Sequence, residues 1–192
     1  MAQNNLQDYC QSQLLKAAMD YLYTGIDLFK KHQSSSVLSG YQAAIGNLSL
    51  SIELMLKTFI AGKHLTLLYK NLPLELRAFL NCEDRLPESF QKQPFEIDIR
   101  SSTYTTIELD ECISLFYIFF PDERPRLQPH LRFVSKVRNL CVHSFLPVYY
   151  RFELERVAFT ALNIYKVLYS SFPVERLGYL TCPPGIGPKD KW

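Results

Sequence analysis

Most of the short motifs that would announce an enzyme are missing from these 192 residues. There is no H-E-x-x-H pair, no Walker loop, no G-x-S-x-G elbow and no dinucleotide fingerprint, and no two histidines stand at the i, i+4 spacing of metal ligands. These absences argue against a metal hydrolase, a nucleotide hydrolase, a serine hydrolase and any cofactor, and no residue is assigned to a metal. The five cysteines, Cys10, Cys82, Cys112, Cys141 and Cys182, are scattered without C-x-x-C spacing, so neither a disulfide framework nor a zinc site is indicated and a reducing cytoplasm is expected. The chain opens on the polar "MAQNNLQDYCQSQ", not on a signal peptide. Its most apolar run, "CISLFYIFF" from Cys112 to Phe120, is about half the ~20 residues a membrane helix needs, so no membrane partner is expected. A net charge of +2 and a pI near 8.2 neither require nor forbid a polyanionic ligand, so any electrostatic case is local. No internal repeat and no low-complexity tract is present.

What is present is helical periodicity. Leu14, Ala18, Tyr21, Gly25 and Leu28 step by four and three within a first helix from about Leu6 to His32. Tyr41, Ile45, Leu48, Ile52, Met55 and Phe59 do so more strongly, after possible caps at Ser34 to Ser36 and before a stop at Gly62. The two are expected to pair as an antiparallel hairpin. Short helical candidates follow at "HLTLLYKNL" and "PLELRAFL". Residues Asn81 to Thr105, with two prolines and only "FEIDI" alternating as a strand would, read as a long insertion. Helix resumes at "TIELDECISLFYIFF", is interrupted by a linker "PDERPRLQPH", returns at "FVSKVRNLCVHSF" up to Pro147, and ends in a helix from about Tyr149 to Ser171 with Leu154, Val157, Ala161, Ile164 and Leu168 in register. The expected fold class is all-α: one antiparallel up-and-down bundle of about four to five main helices with short extra helices and one long insertion loop. A single domain over 1–177, with the 81–105 insertion, precedes a turn-rich tail at 178–192.

The segment from Phe133 to Phe145 carries the polar cluster. At ~100° per residue, Arg132, Lys136, Asn139 and His143 share a narrow stripe, while Phe133, Val137, Leu140 and Cys141 are expected to face the core. Arg138 falls on the far flank of that apolar arc, about 140° from His143. Either the helix loosens near His143, or a second copy brings its own pair across a twofold axis. The same stripe is what any amphipathic surface helix presents. Against that plain reading, Arg124, Arg126, His130, Arg132, Lys136 and Arg138 stand together in fifteen residues without a carboxylate, a basic strip that attracts phosphate. Glu53 and Lys57 have the i, i+4 order of a surface pair. Arg138, bordering the core and permanently charged, needs an anion, and Glu53, flanked by Ile52 and Leu54, is the first choice.

"RNLCVH", Arg138 to His143, matches the R-x(4–6)-H signature of HEPN domains, including the polar Asn139 after the arginine. "NLSLSIELMLKTFIAGKHLTLLYKNLP", Asn47 to Pro73, resembles the second-helix segment of many HEPN proteins. The resemblance spans roughly Leu6 to Ser171. It implies a helical homodimer with the motif at the interface and a metal-independent endoribonuclease of toxin–antitoxin, antiviral-defence or RNA-processing type. A toxin or defence partner protein is also implied, and the alternative is a non-catalytic module binding RNA, a nucleotide or a protein through the same cleft. If it is an enzyme, the ribose 2′-hydroxyl attacks the adjacent phosphate, leaving a cyclic phosphate and a 5′-hydroxyl. His143 moves the proton. Arg138 holds the non-bridging oxygens, and Asn139 orients the ring or the phosphate. Arg132 and Lys136 guide the RNA backbone, while Glu53 and Lys57 support the site from behind. The R-x(4)-H-x-Y tyrosine of nucleotidyltransferase-paired toxins is Phe145 here, which has no hydroxyl to modify; Tyr149 and Tyr150 lie outside the motif.

Overall fold

A computed structural model of the chain describes residues 6–32, 38–70, 105–143, 156–157 and 159–165, with the backbone alone at 6, 38, 39, 142 and 143. Among these residues 90% are helical and none forms a strand, so the class is all-α, a helical bundle. Its main elements are α1 (Leu6–His32), α2 (Leu38–Ala61), α3 (Leu109–Phe119) and α4 (Arg124–His143), with further helical residues at 159–165. The 178–192 tail, the "PLELRAFL" and "FEIDI" segments, and all of the 81–105 insertion but Thr105 lie outside the described residues.

α1 and α2 run antiparallel. Gln7 Nε2 donates to the carbonyl of Gly62 at 2.9 Å and Gln11 Nε2 to that of Thr58 at 3.1 Å, while farther along Gly25 meets Leu48. A Cβ on Gly25 would lie 2.7 Å from the Leu48 side chain, inside contact distance, so glycine here lets the two helices approach. The α2 stripe of Tyr41, Ile45, Leu48, Ile52, Met55 and Phe59 is buried throughout. On α1 the buried line is Leu15, Ala18, Met19, Leu22 and Gly25; of the expected stripe Ala18 and Gly25 lie on it, Leu14 and Leu28 are half-buried, and Tyr21 is exposed. α2 is also apolar and long enough to cross a membrane, but 72% of the window Gly40–Ala61 is buried, as befits the central helix of a bundle.

After Gly62 ends α2, His64 caps a 3-10 turn at Leu65–Leu68, its Nδ1 accepting from the Thr66 N–H. The chain leaves the described core at Lys70 and re-enters beside it. Lys70 N–H donates to the Thr105 carbonyl at 2.8 Å and Ile107 N–H to that of Leu68 at 2.9 Å, around a single bridge between Tyr69 and Thr106. Residues 68–70 and 105–107 are thus held side by side. α3 starts on a backbone-capping contact, Glu108 N–H to Glu111 Oε2 at 2.8 Å, and its Phe116 joins Phe59 of α2 edge to face at 6.0 Å.

The expected linker "PDERPRLQPH" is helical instead. Pro121 begins a 3-10 turn, Pro121–Glu123, and α4 starts directly at Arg124. Pro121 and Pro125 sit in first turns, where a missing N–H costs nothing; only Pro129 lies inside the helix. The last helical residues dock on the hairpin. Tyr165 is fully buried, its hydroxyl 2.5 Å from Ser51 Oγ and 3.2 Å from the Ala18 carbonyl, and Arg156 stacks 4.1 Å above the Phe133 ring.

Candidate nucleic-acid interface

The inward line of α4 is Leu127, Leu131, Val134, Arg138 and Cys141, stepping by four, three, four and three. The first three are fully buried, and Arg138 and Cys141 are half-buried. Of the expected core arc, Val137 is buried, Phe133 and Cys141 are half-buried, and Leu140 is exposed. The reason is the register set by Leu127, in the stretch expected to be a linker, and by Leu131 just after it. Arg138 therefore occupies the middle of the core-facing line, at least ~100° around the helix from Arg132, Lys136 and Asn139.

A charge in that position needs a counter-charge, and α2 supplies one. Arg138 Nη2 lies 3.4 Å from Glu53 Oε2, the pairing expected above. The other carboxylate oxygen of Glu53 accepts from Lys57 Nζ at 2.8 Å, and Lys57 also donates to Thr106 Oγ1 at 3.3 Å. Glu53 and Lys57 are 7% and 6% exposed, so their pair is an interior one and not the surface pair that the spacing alone suggests. Glu53 Oε2 has no hydrogen-bond partner; Arg138 approaches it as a charge. A third of the Arg138 side chain remains exposed. The network ties α2 to the Tyr69–Thr106 bridge and to α4.

Arg132, Lys136 and Asn139 are exposed and line one wall of a cleft of ≈ 890 Å³ between α3 and α4. Arg124 extends that wall, and Asp110 and Tyr117 face it from α3. Asp110 is engaged, its Oδ1 accepting from Ser135 Oγ at 2.5 Å. Ile118 and Leu140, both strongly exposed, add an apolar lip. The Arg124 guanidinium carbon sits 5.7 Å from the centre of the Tyr117 ring, a cation–π contact. Burial pushes the Tyr117 phenol up to about 12, against the pull of Arg124 and Arg132.

The structure thus gathers Arg132, Lys136 and Asn139 and directs Arg138 to Glu53 and Lys57. His143 is the last residue of α4; its side chain, Phe145, Tyr149 and Tyr150 lie outside the described residues. Of the basic strip, Arg126 pairs with Glu123 at 3.4 Å. Asp110 and Tyr117 were not expected in the cleft, and Arg124 was expected only as a member of the basic strip. Asp110, Ser114 and Tyr117 do step by four and three on α3, a polar line within a mostly apolar helix. Among the described residues no three His, Cys, Asp or Glu side chains converge to hold a metal.

Comparison with family models, with curated proteins and with solved structures returns no match. The HEPN resemblance stands on the residues quoted for it.

Proposed function

We propose that this protein is a HEPN-type, homodimeric, metal-independent endoribonuclease that binds RNA in the α3–α4 cleft. The observation that carries RNA as the ligand is the charge of that cleft: Arg124, Arg132 and Lys136 line it against one carboxylate, Asp110, already held by Ser135. A phosphodiester backbone is the extended anion such a groove suits, and its contacts position the strand without reading bases. In this reading His143 takes the 2′-hydroxyl proton as that oxygen attacks phosphorus and returns a proton to the 5′-oxygen as its bond to phosphorus breaks, Asn139 orients the phosphate, and Arg138 stabilises the charge that grows on it. Because Arg138 and Asn139 face different ways on one helix, a second copy has to complete the site. The setting is a toxin, antiviral-defence or RNA-processing system in the cytoplasm, with an antitoxin or another defence-system protein as the partner.

One observation favours a second reading, a module that binds RNA, a nucleotide or a protein through the same cleft and does not cut. Arg138 already sits against the buried Glu53 carboxylate, and a guanidinium held there serves stability. The two readings separate when purified protein is incubated with single-stranded and structured RNA in EDTA, beside His143→Ala and Arg138→Ala. Cyclic phosphate ends made by the wild type alone support the nuclease. Retention of RNA with no cleavage by any of the three supports the module, and absence of both rejects RNA as the ligand.

A further inference from the structure

We propose that Tyr117, Arg124 and Arg132 form a phosphate subsite in the α3–α4 cleft, with the Tyr117 phenol as an uncharged donor between two cations. The inference rests on the RNA reading above and deepens it, naming the contact that seats one phosphate of the strand.

The register of the two helices brings these residues together. α3 and α4 are joined by the short turn Pro121–Glu123 and touch where Ser135 meets Asp110. Seven residues forward on α3 is Tyr117 and seven back on α4 is Gln128, two turns or about 10 Å from that contact. Arg124 and Arg132 stand one turn to either side of Gln128 on the same face of α4, and all four line the cleft. Arg124 lies over the Tyr117 ring.

The Tyr117 hydroxyl is buried and has no hydrogen-bond partner, and a buried polar group left alone calls for an explanation. Its charged neighbours cannot supply one. A guanidinium carries five N–H donors and no acceptor, so neither arginine can take the phenolic proton. Asp110, the carboxylate of the cleft, is two turns away and accepts from Ser135. Two cationic donors and one neutral donor therefore line one stretch of the cleft, and the amide oxygen of Gln128 between the arginines is not bonded to the phenol. A phosphate oxyanion supplies acceptors to all three at once. The raised phenol pKa keeps the proton on the oxygen at neutral pH, so the group arrives as a donor. Its ring is rigid where the arginine side chains are flexible, and this fixes where the phosphate sits.

The same chemistry could come from an RNA backbone or from a free phosphate anion, and the test uses both. Affinity for a short labelled RNA is measured over a range of salt for the full chain and for Tyr117→Phe and Arg132→Ala, and inorganic pyrophosphate is titrated by calorimetry. Tyr117→Phe is expected to weaken RNA binding by about tenfold at every salt concentration, as the loss of one hydrogen bond to a charged group predicts. The slope against salt should not change, since no charge is removed. Arg132→Ala is expected to lower that slope by about one. A merely structural tyrosine would destabilise the protein when shortened, whereas here Tyr117→Phe should melt at or above the wild-type temperature. If RNA binds and Tyr117→Phe binds it as tightly as the wild type, the subsite is wrong and the RNA reading survives. If pyrophosphate binds in a Tyr117-dependent way and RNA does not, the subsite stands and the RNA reading falls. Binding of neither ligand by the wild type removes both.

Discussion

Glu53→Gln tests the interior ion pair on which α2, the Tyr69–Thr106 bridge and α4 converge. In the wild type the Lys57 ammonium, 6% exposed, has the Glu53 carboxylate at 2.8 Å and the Thr106 hydroxyl at 3.3 Å. The substitution keeps an oxygen that can accept but removes the carboxylate paired with the Lys57 ammonium. Breaking a buried pair by removing one partner costs ~3–5 kcal/mol, and the retained amide oxygen puts this case at the lower end, about 3 kcal/mol. Arg138 adds less than ~1 kcal/mol, because a partly exposed charge can turn toward water. For a chain of this size the loss corresponds to a fall in Tm of roughly 6–12 °C. Urea denaturation followed by far-UV circular dichroism at pH 7 reads the change directly. Replacing the pair whole, Glu53→Leu with Lys57→Met, should cost much less than Glu53→Gln alone, since an apolar replacement of a buried pair is often neutral. A single Glu53→Gln variant within ~0.5 kcal/mol of the wild type, inside the range of an ordinary surface change, would refute the assignment of this pair to the load-carrying interior.

Tyr165→Phe should cost about 2 kcal/mol in the same denaturation assay, because it strips the buried Ser51 hydroxyl of its 2.5 Å partner. Cys112, fully buried and pushed up to about 12 by that burial, should resist alkylation across pH 7–9 in the native protein and react once urea unfolds it, as peptide mapping by mass spectrometry can follow. The Glu111 carboxyl is held below its usual 4.5, first by the hydrogen bond from Lys70 and then by the Glu108 N–H. A lowered folded-state pKa stabilises above the unfolded value and is lost as pH falls through the folded one. The gap in Tm between the wild type and Glu111→Gln should accordingly be full near neutrality and shrink below pH 4.5.

The two long helices were legible because burial and periodicity agree along most of their length. On α2 every residue of the expected stripe is buried. On α1 the stripe was displaced by counting Tyr21 as core, although a tyrosine can lie along the surface with its ring half covered. The start of α4 was read as a linker because Pro121, Pro125 and Pro129 look like breakers, and two of the three occupy positions where a helix accepts proline. That misreading moved the apparent core arc of α4 toward Leu140 and left Arg138 at its edge. The pairing of Arg138 with Glu53 was nonetheless readable, since a permanent charge beside the core demands an anion. The cleft was only half readable. Spacing on α4 groups Arg132, Lys136 and Asn139, but the meeting of Tyr117 with Arg124 depends on the register between two helices, which periodicity within either one does not contain.

The most direct test of the α3–α4 cleft as the RNA-binding face is the salt dependence of RNA affinity for Arg132→Ala combined with Lys136→Ala, compared with Arg126→Ala, whose arginine pairs with Glu123 and does not line the cleft. The cleft reading predicts that the double variant loses about two from the slope of log affinity against log salt and that Arg126→Ala keeps the wild-type slope. A double variant with the wild-type slope, or an Arg126→Ala loss as large, would place the nucleic acid elsewhere and contradict it.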